Sequence, residues 1–470
     1  EVRDMKWFSA MFLAALTSVA AAQPGAQPGA PAPVPPAAPA PTPPAPPEAA
    51  APATGAAPEV LTLERAIEIA MRQQPSLRQT KAQLEVAQGR ADLARVARNP
   101  TITLDATAGS RSGSQAGSLM GGTVSGGGPD FFSHTESTGL GAQANWRIYD
   151  FGQTAANIRA AELNADAAAA AVNITTLDIR TSVETAYLEA VARRRLIQVA
   201  EATVASEDAH LDQARRFVAA QAKDPIEVAQ AQSRDANAKS ALAQARSNEA
   251  IALANLRSAI GWVDPANAPI VAATWPTPAE IEPPGLAALV DTARRARPEI
   301  IQLDKELAAA DASLDAARAE RRPVLSANAS TQWSPGTGNW SPDPSWTAGL
   351  ALTWSLYDGG RASADQRIAH GSLQGAIAAR DALLVALTSQ LDSARSQIVA
   401  NRANVAASTE AVTAARAQLQ LANARYTQGL GSQIELADAQ TAVTTAEGNL
   451  VQAEFQLATA WAQLRRATAQ

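Results

Sequence analysis

The chain has 470 residues, a net charge of −6 at pH 7 and no cysteine. Without cysteine it has no disulfide and no thiolate metal site, and its acidic balance offers a nucleic acid no basic surface. Only 4% of the residues are aromatic and alanine is abundant, which favours long, closely packed helices over a bulky globular core.

The N-terminus has the pattern of a secretory signal peptide, which we place at residues 1–22. Lys6 precedes an apolar run from Trp7 to Val19, and small residues follow that run. The run is too short for a transmembrane helix, which needs about 20 apolar residues. Residues 23–58 are a proline and alanine tract with almost no charge, so we expect an extended, disordered leader there.

The rest of the chain consists of two repeats, each with a predicted β-hairpin followed by a very long helix. The first repeat spans 59–262 and the second 285–470, with a proline-broken connector at 263–284 between them. Both hairpins end in an aromatic–Asp–x–Gly corner, which contains Tyr149 in one copy and Tyr357 in the other. Apolar heptad positions in the following helices recur at the same offset as these tyrosines, which indicates an internal duplication.

The hairpins, at 101–149 and 324–357, alternate apolar and polar residues, which predicts strands with one wet face. We place their connections at 109–139 and 334–345. Strands of about ten residues match tilted membrane-spanning strands, although a soluble sandwich is the alternative. Four strands cannot close a barrel in lipid, so several chains must contribute hairpins to one barrel. Tryptophans near the strand ends predict a membrane aromatic girdle of Trp146, Trp333, Trp346 and Trp354.

No proline interrupts residues 153–217 or 361–426, and each stretch predicts one helix of roughly 95–100 Å. Helices in globular proteins average about 12 residues, so these segments indicate coiled-coil or α-barrel rods. Each rod returns through another helix, and the last of these has a seven-residue apolar stripe from Leu436 to Leu464. Within the connector, residues 270–273 could add a short strand.

Together these elements resemble the TolC family of outer-membrane efflux channels. The resemblance extends from about Glu59 to the C-terminus. It implies an α+β membrane protein in which each of three chains contributes four strands to a twelve-stranded transmembrane β-barrel. The helices would continue as a coiled-coil or α-barrel tunnel in the periplasm. The resemblance rests on residues 61–67, the helix breaks before Pro75 and Pro298, both Tyr–Asp corners, and residues 425–429.

The resemblance also implies a function, the outer-membrane exit duct of a tripartite efflux or type I secretion system. The partners would be two further copies of the chain, outer-membrane lipid, a periplasmic adaptor (membrane fusion) protein and an inner-membrane transporter of the RND or ABC type. We expect no cofactor and no enzymatic activity, because the sequence has no nucleotide-binding loop, nucleophile elbow or metal-ligand spacing of histidines. A periplasmic coiled-coil scaffold is the alternative, which explains the heptads but leaves the amphipathic strands unexplained.

The resemblance places a periplasmic gate at the turns that follow the two long helices. Glu435 and Asp438 match acidic residues that ring the aperture in the family, and their spacing puts both on one helix face. A solvated charged face is the alternative for such a pair. In the first repeat Glu227 matches Glu435, whereas Asp224 is expected to cap its helix.

The same turns are expected to dock the adaptor. Gly431 stands where some relatives have an arginine that latches the closed tip, so a latch in this chain needs other donors. Arg425 and Arg216 are the candidates for that role. The predicted docking tip consists of Arg425, Tyr426, Gly429, Ser432, Arg216 and Phe217.

Overall fold

The computed structural model describes residues 60–113, 133–262, 270–271, 274–275, 282–335 and 342–469. The predicted signal peptide and leader lie outside these residues, as do the middle of both hairpin connections and most of the connector.

The first repeat begins with a two-residue strand and ends with a helical hairpin. Its elements are β1 (Val60–Leu61), α1 (Leu63–Gln73), α2 (Pro75–Val96), β2 (Thr101–Gly113), β3 (Ser133–Tyr149), α3 (Gln153–Ala219) and α4 (Pro225–Ile260). The second repeat has the same order: β4 (Ile270–Val271), α5 (Leu286–Ala296), α6 (Pro298–Ala319), β5 (Val324–Pro335), β6 (Pro342–Thr353), α7 (Arg361–Thr427) and α8 (Gln433–Thr468).

Corresponding helices have equal lengths in the two repeats. The lengths are 11 residues in α1 and α5, 22 in α2 and α6, 67 in α3 and α7, and 36 in α4 and α8. Pro75 and Pro298 break the short helices, because proline lacks an N–H group and pushes the preceding residue towards extended backbone. The duplication inferred from the heptads therefore extends through the whole repeat.

The four long strands form one antiparallel sheet in the order β2-β3-β5-β6. Paired residues form rows across the sheet, and apolar rows alternate with polar rows as the sequence predicts. The apolar face is exposed in the single chain, with Ile102 at 73% and Leu350 at 72%. One apolar row consists of Ile102, Ala144, Ala329 and Ala348, and the adjacent polar row consists of Thr103, Gln143, Ser330 and Thr347.

Both hairpin connections are shorter than the sequence predicts. The predicted loop at 109–139 is wrong at both ends, because β2 and β3 extend into it. Likewise β5 and β6 reach Pro335 and Pro342, inside the predicted loop at 334–345. The hydrogen bonds of a strand ladder do not depend on apolar side chains, so pairing continues after the apolar alternation has stopped.

An aspartate three residues before each long helix caps its N-terminus. The Asp358 carboxylate accepts hydrogen bonds from the backbone N–H groups of Gly360 and Ala362, both at 2.8 Å. The Asp150 carboxylate likewise accepts hydrogen bonds from the backbone N–H groups two and four residues after it. The bonds from Ala362 and then Gly360 hold the pKa of Asp358 below its usual value, so the cap stays ionised. Gly152 and Gly360 have φ of 102° and 93°, which glycine adopts without strain.

The helices form a layer with α3 at its centre. Near the sheet α3 packs against α2 and α6, and α6 packs on α7. Beyond the helix breaks α3 packs against α4 and α8, and α8 packs on α7. The helix order α2-α3-α6-α7 repeats the strand order, so the helix layer continues the sheet. Among the described helices, none is both long and apolar enough to cross a membrane.

The core of the helix layer is small and rich in alanine. The hydroxyl group of Tyr187 in α3 donates to the Leu61 carbonyl at 3.1 Å, and β1 pairs in parallel with β4. The strand predicted within 270–273 is therefore present, over Ile270–Val271.

Most of the predicted heptad positions are buried: Val183, Ala190, Ile197 and Leu211 in α3, Leu391, Ile398 and Val412 in α7, and Leu436, Val443 and Leu464 in α8.

Candidate functional site at the helical tips

Two turns meet at the end of the rods that lies away from the sheet. The turn between α3 and α4 has Gln221 at a φ of 57°, and the turn between α7 and α8 has Gly429 at 74°. In the second turn the N–H groups of Leu430 and Gly431 both donate to the Arg425 carbonyl, at 2.9 and 3.0 Å. These bonds satisfy the Arg425 carbonyl near the end of α7 and help to reverse the chain within a few residues.

The start of α8 is fixed by a serine cap and a tight backbone approach. The Ser432 hydroxyl oxygen accepts the Glu435 N–H at 3.1 Å, which is the usual role of a serine at this position. A Cβ atom on Gly431 would lie only 3.1 Å from the Tyr426 nitrogen, so a larger residue here would require the backbone of the turn to shift slightly. Ser432 and Gly431 therefore shape the turn.

Tyr426 joins the two tip turns. Its side chain is 2% exposed, and its hydroxyl donates to Glu227 Oε2 at 3.0 Å. The Tyr426 ring meets the Phe217 ring edge-on, with 5.8 Å between the ring centroids. Burial, together with the Glu227 carboxylate, raises the pKa of Tyr426 to about 12, so the phenol remains a protonated donor at neutral pH. The structure thus brings together three residues that were predicted from different repeats.

Glu227 has three partners at this joint. Lys223 Nζ lies 3.3 Å from Glu227 Oε1 and 5.2 Å from the centre of the Tyr426 ring. From α8, Gln433 Nε2 donates to the Glu227 carbonyl at 3.0 Å. We call Tyr426, Glu227, Lys223 and Gln433 the tip link. The carboxylate of Glu227 is thereby held between the two helical hairpins.

The other predicted gate and docking residues lie around the tip link. Arg425 Nη1 binds Glu435 Oε1 at 2.7 Å, within one hairpin. Arg216 donates to the Asp212 carbonyl of its own helix at 3.3 Å. Asp438 is exposed, lines a groove between α7 and α8, and has no ion pair among the described residues. Of the two predicted acidic residues of α8, only Asp438 thus carries an uncompensated charge.

A pair of charges, a buried carboxylate and a half-buried arginine, lies behind the tip link, between α3, α4 and α8. Arg234 Nε lies 4.0 Å from Glu207 Oε2, and Arg234 Nη1 donates to the Gln433 carbonyl at 3.4 Å. Burial raises the pKa of Glu207 above its usual value, even though Arg234 is near. Gln433 Oε1 and Arg234 Nε have no hydrogen-bond partner among the described residues. The joint between the repeats is therefore polar and incompletely satisfied.

The sequence patterns described above did not predict this charge pair. Glu207 occupies a core position of the α3 heptad, three residues after Val204 and four before Leu211. An apolar residue is expected at such a position. The matching position in the second repeat is Ala415, which is buried. An acidic residue at a core heptad position, with Ala200 and Ala214 one heptad before and after it, was the signal that could have revealed the pair.

The comparison with protein families agrees with this architecture. A family model described as "Outer membrane efflux protein" matches residues 66–262 and 289–470, which covers most of both repeats. The chain belongs to the outer membrane efflux protein family. It is accordingly an outer-membrane channel protein with helices that extend into the periplasm, and not an enzyme. The fold class predicted from the sequence, long helical rods with four strands in one sheet, is confirmed.

Individual relatives are similar over most of their length. The chain is 31% identical over 390 residues to Protein CyaE of Bordetella pertussis, which covers 81% of this chain and 78% of that protein. The outer membrane protein VceC from Vibrio cholerae has a similar structure, with a TM-score of 0.72, 22% identity and 86% and 95% of the two chains covered. The Campylobacter jejuni CmeC outer membrane channel gives a TM-score of 0.75 at 15% identity, with 86% and 85% covered. These two structures share the fold.

In this outer membrane efflux protein the four predicted girdle tryptophans lie at two levels of the sheet. Trp333 and Trp346 lie towards the hairpin connections, whereas Trp146 and Trp354 lie towards the helices. The indole N–H groups of Trp146 and Trp354 donate to the carbonyls of Arg98 and Arg321, at 2.9 and 3.0 Å. Trp354 follows the end of β6 and is not in the strand on which the sequence places it. All four side chains are exposed.

Proposed function

We propose that this outer membrane efflux protein is the exit duct of a tripartite efflux or type I secretion system, formed by three copies of the chain. One observation carries the proposal: the sheet and the helix layer end on the same two sides. The sheet ends at β2 and β6, and the helix layer ends at α2 and α4 on one side and at α7 on the other. Placing β6 of one copy beside β2 of the next would leave no open strand edge in lipid.

The two faces of the sheet suit a duct. The apolar rows would face lipid, and the polar rows would line a barrel of twelve strands wide enough for a water-filled lumen. The 67-residue helices α3 and α7 would extend the lumen by roughly 100 Å into the periplasm. A scaffold that stays in the periplasm gives no reason for an exposed apolar face of four strands.

The tips would dock a periplasmic adaptor, which connects the duct to an inner-membrane transporter of the RND or ABC type. Apolar side chains are exposed there: Leu430 at 72%, Ile434 at 65% and Ile226 at 62%. They adjoin the predicted docking residues of the two turns. Apolar residues presented at the end of a rod are typical of a surface that binds another protein.

The proposed duct can be tested with purified protein in detergent. We expect a trimer that migrates differently in gels before and after heating, and that conducts ions across planar bilayers. The alternative, a scaffold protein without channel activity, would not conduct. A monomer that stays in solution without detergent would contradict the proposed duct.

The proposed gate makes a sharper prediction. Three copies of Asp438 would place uncompensated carboxylates around the narrow end of the tunnel, whereas Arg425 neutralises each Glu435. Asp438→Asn should therefore reduce cation selectivity and block by divalent cations, whereas replacing both Glu435 and Arg425 by Gln removes a neutral pair and should change them much less. Reversal potentials in planar bilayers under a salt gradient measure this difference. Unchanged selectivity in Asp438→Asn would show that these carboxylates are simply solvated.

A further inference from the structure

The lipid-facing side of the sheet is not evenly covered by large side chains. A groove of 490 Å³ crosses β3, β5 and β6 on the apolar face. Its floor is formed by alanines, and Ala144, Ala329 and Ala348 are direct neighbours in one register row. Trp146 and Leu350 form its two walls, on either side of Ala327 in the next row. We call this groove the alanine groove.

The backbone of Arg98 lies beside the helix-side end of the alanine groove. Pro100 lines this end, and Trp146 is held there by the hydrogen bond from its indole N–H to the Arg98 carbonyl, at 2.9 Å. Arg98 is exposed and has no ion pair among the described residues. The backbone of an exposed arginine therefore lies next to the helix-side end of the apolar groove, within reach of which its side chain can place a positive charge.

We propose that the alanine groove and Arg98 form a binding site for one glycerophospholipid of the periplasmic leaflet. One acyl chain lies in the groove between Trp146 and Leu350, and the lipid phosphate pairs with the Arg98 guanidinium. The site rests on the proposed barrel, because only then does the apolar face meet lipid.

Four properties of the site select this occupant. Its volume is within the range of small-ligand sites, and its alanine floor lets a flexible chain approach the strand backbones closely. Arginine is the side chain best suited to a phosphate, which it binds through two parallel hydrogen bonds. The cation lies on the helix side of the membrane, where the phosphates of the periplasmic leaflet are found. A free phosphate ion would need no groove, and a fatty acid would place a carboxylate at Arg98 instead.

The test measures retained lipid by native mass spectrometry of purified trimers titrated with palmitoyl-oleoyl phosphatidylglycerol. Ala329→Leu fills the groove floor and keeps the face apolar, and Ala106→Leu is its matched control on the same face of β2. Arg98→Gln removes the cation, and Arg402→Gln, on the exposed surface of α7, is its control. We expect affinity to fall roughly tenfold in Ala329→Leu and about fivefold in Arg98→Gln, with both controls unchanged.

The outcomes separate this inference from the proposed duct. All four variants should form trimers that conduct in bilayers, and failure of the unmodified chain to do so would overturn the duct itself. If trimers are normal but Ala329→Leu retains as much lipid as Ala106→Leu, the site does not exist. If Arg98→Gln retains as much as Arg402→Gln, the proposed phosphate contact is wrong. A parallel titration with oleate that matches the phosphatidylglycerol curve would also overturn the assignment, because it would identify a fatty-acid site.

Discussion

Ala348→Arg is expected to remove assembled trimers from the outer membrane. Ala348 lies midway along the apolar face. Leu352 is four residues away at the helix end of the same strand, and the partner of Ala348 on β5 is four residues from Trp333 at the other end. An arginine at the bilayer midplane costs about 2–4 kcal/mol on the lipid face of a β-barrel, and the cost would recur in each of three chains. Heat-modifiable trimer in outer-membrane fractions, measured on gels, checks this result.

The matched control is Thr347→Arg, one residue away on the same strand. Thr347 belongs to the polar row with Ser330 and Gln143, so its side chain would point into the water-filled lumen. The same charge placed there should leave trimer formation almost unchanged and alter only conductance. Equal amounts of trimer in the two variants would show that the apolar face does not lie in lipid.

The fold was largely predictable because its signals are local and occur twice. Proline breaks, alternating strands and long heptad stripes each report on a few neighbouring residues, and the second repeat confirmed the pattern of the first. The predictions were wrong where a strand continues beyond the residues that show the apolar–polar alternation. The strands continue through the polar residues on either side of the connections, because backbone pairing is set by the partner strand and not by hydropathy.

The candidate site was only partly predictable. Sequence and resemblance located both tip turns, but Tyr426 and Glu227 are 199 positions apart, and nothing local indicates that their side chains meet. Glu227 was expected at the aperture through its match to Glu435, yet the two carboxylates have different partners, Lys223 and Tyr426 in one case and Arg425 in the other. Contacts between the repeats depend on how the helices pack, which duplication by itself does not specify.

Tyr426→Phe is expected to weaken the closed state of the tip. The substitution keeps the ring that packs against Phe217 and removes the hydroxyl that donates to Glu227. A buried hydrogen bond to a charged group contributes about 1.5–3 kcal/mol, so the ratio of closed to open tips should fall between about tenfold and a hundredfold per link. Single-channel recordings in planar bilayers should show a larger open fraction at constant salt and voltage.

Arg425→Gln provides the comparison that separates a link between hairpins from a bond within one. The ion pair of Arg425 with Glu435 is exposed and joins two positions of the same hairpin, so its loss should cost at most about 1 kcal/mol. We expect the open fraction to stay near that of the unmodified channel, while cation selectivity rises because Glu435 loses its counter-ion. If both variants open the channel equally, the tip is held closed by charge at the aperture and not by the contact between Tyr426 and Glu227.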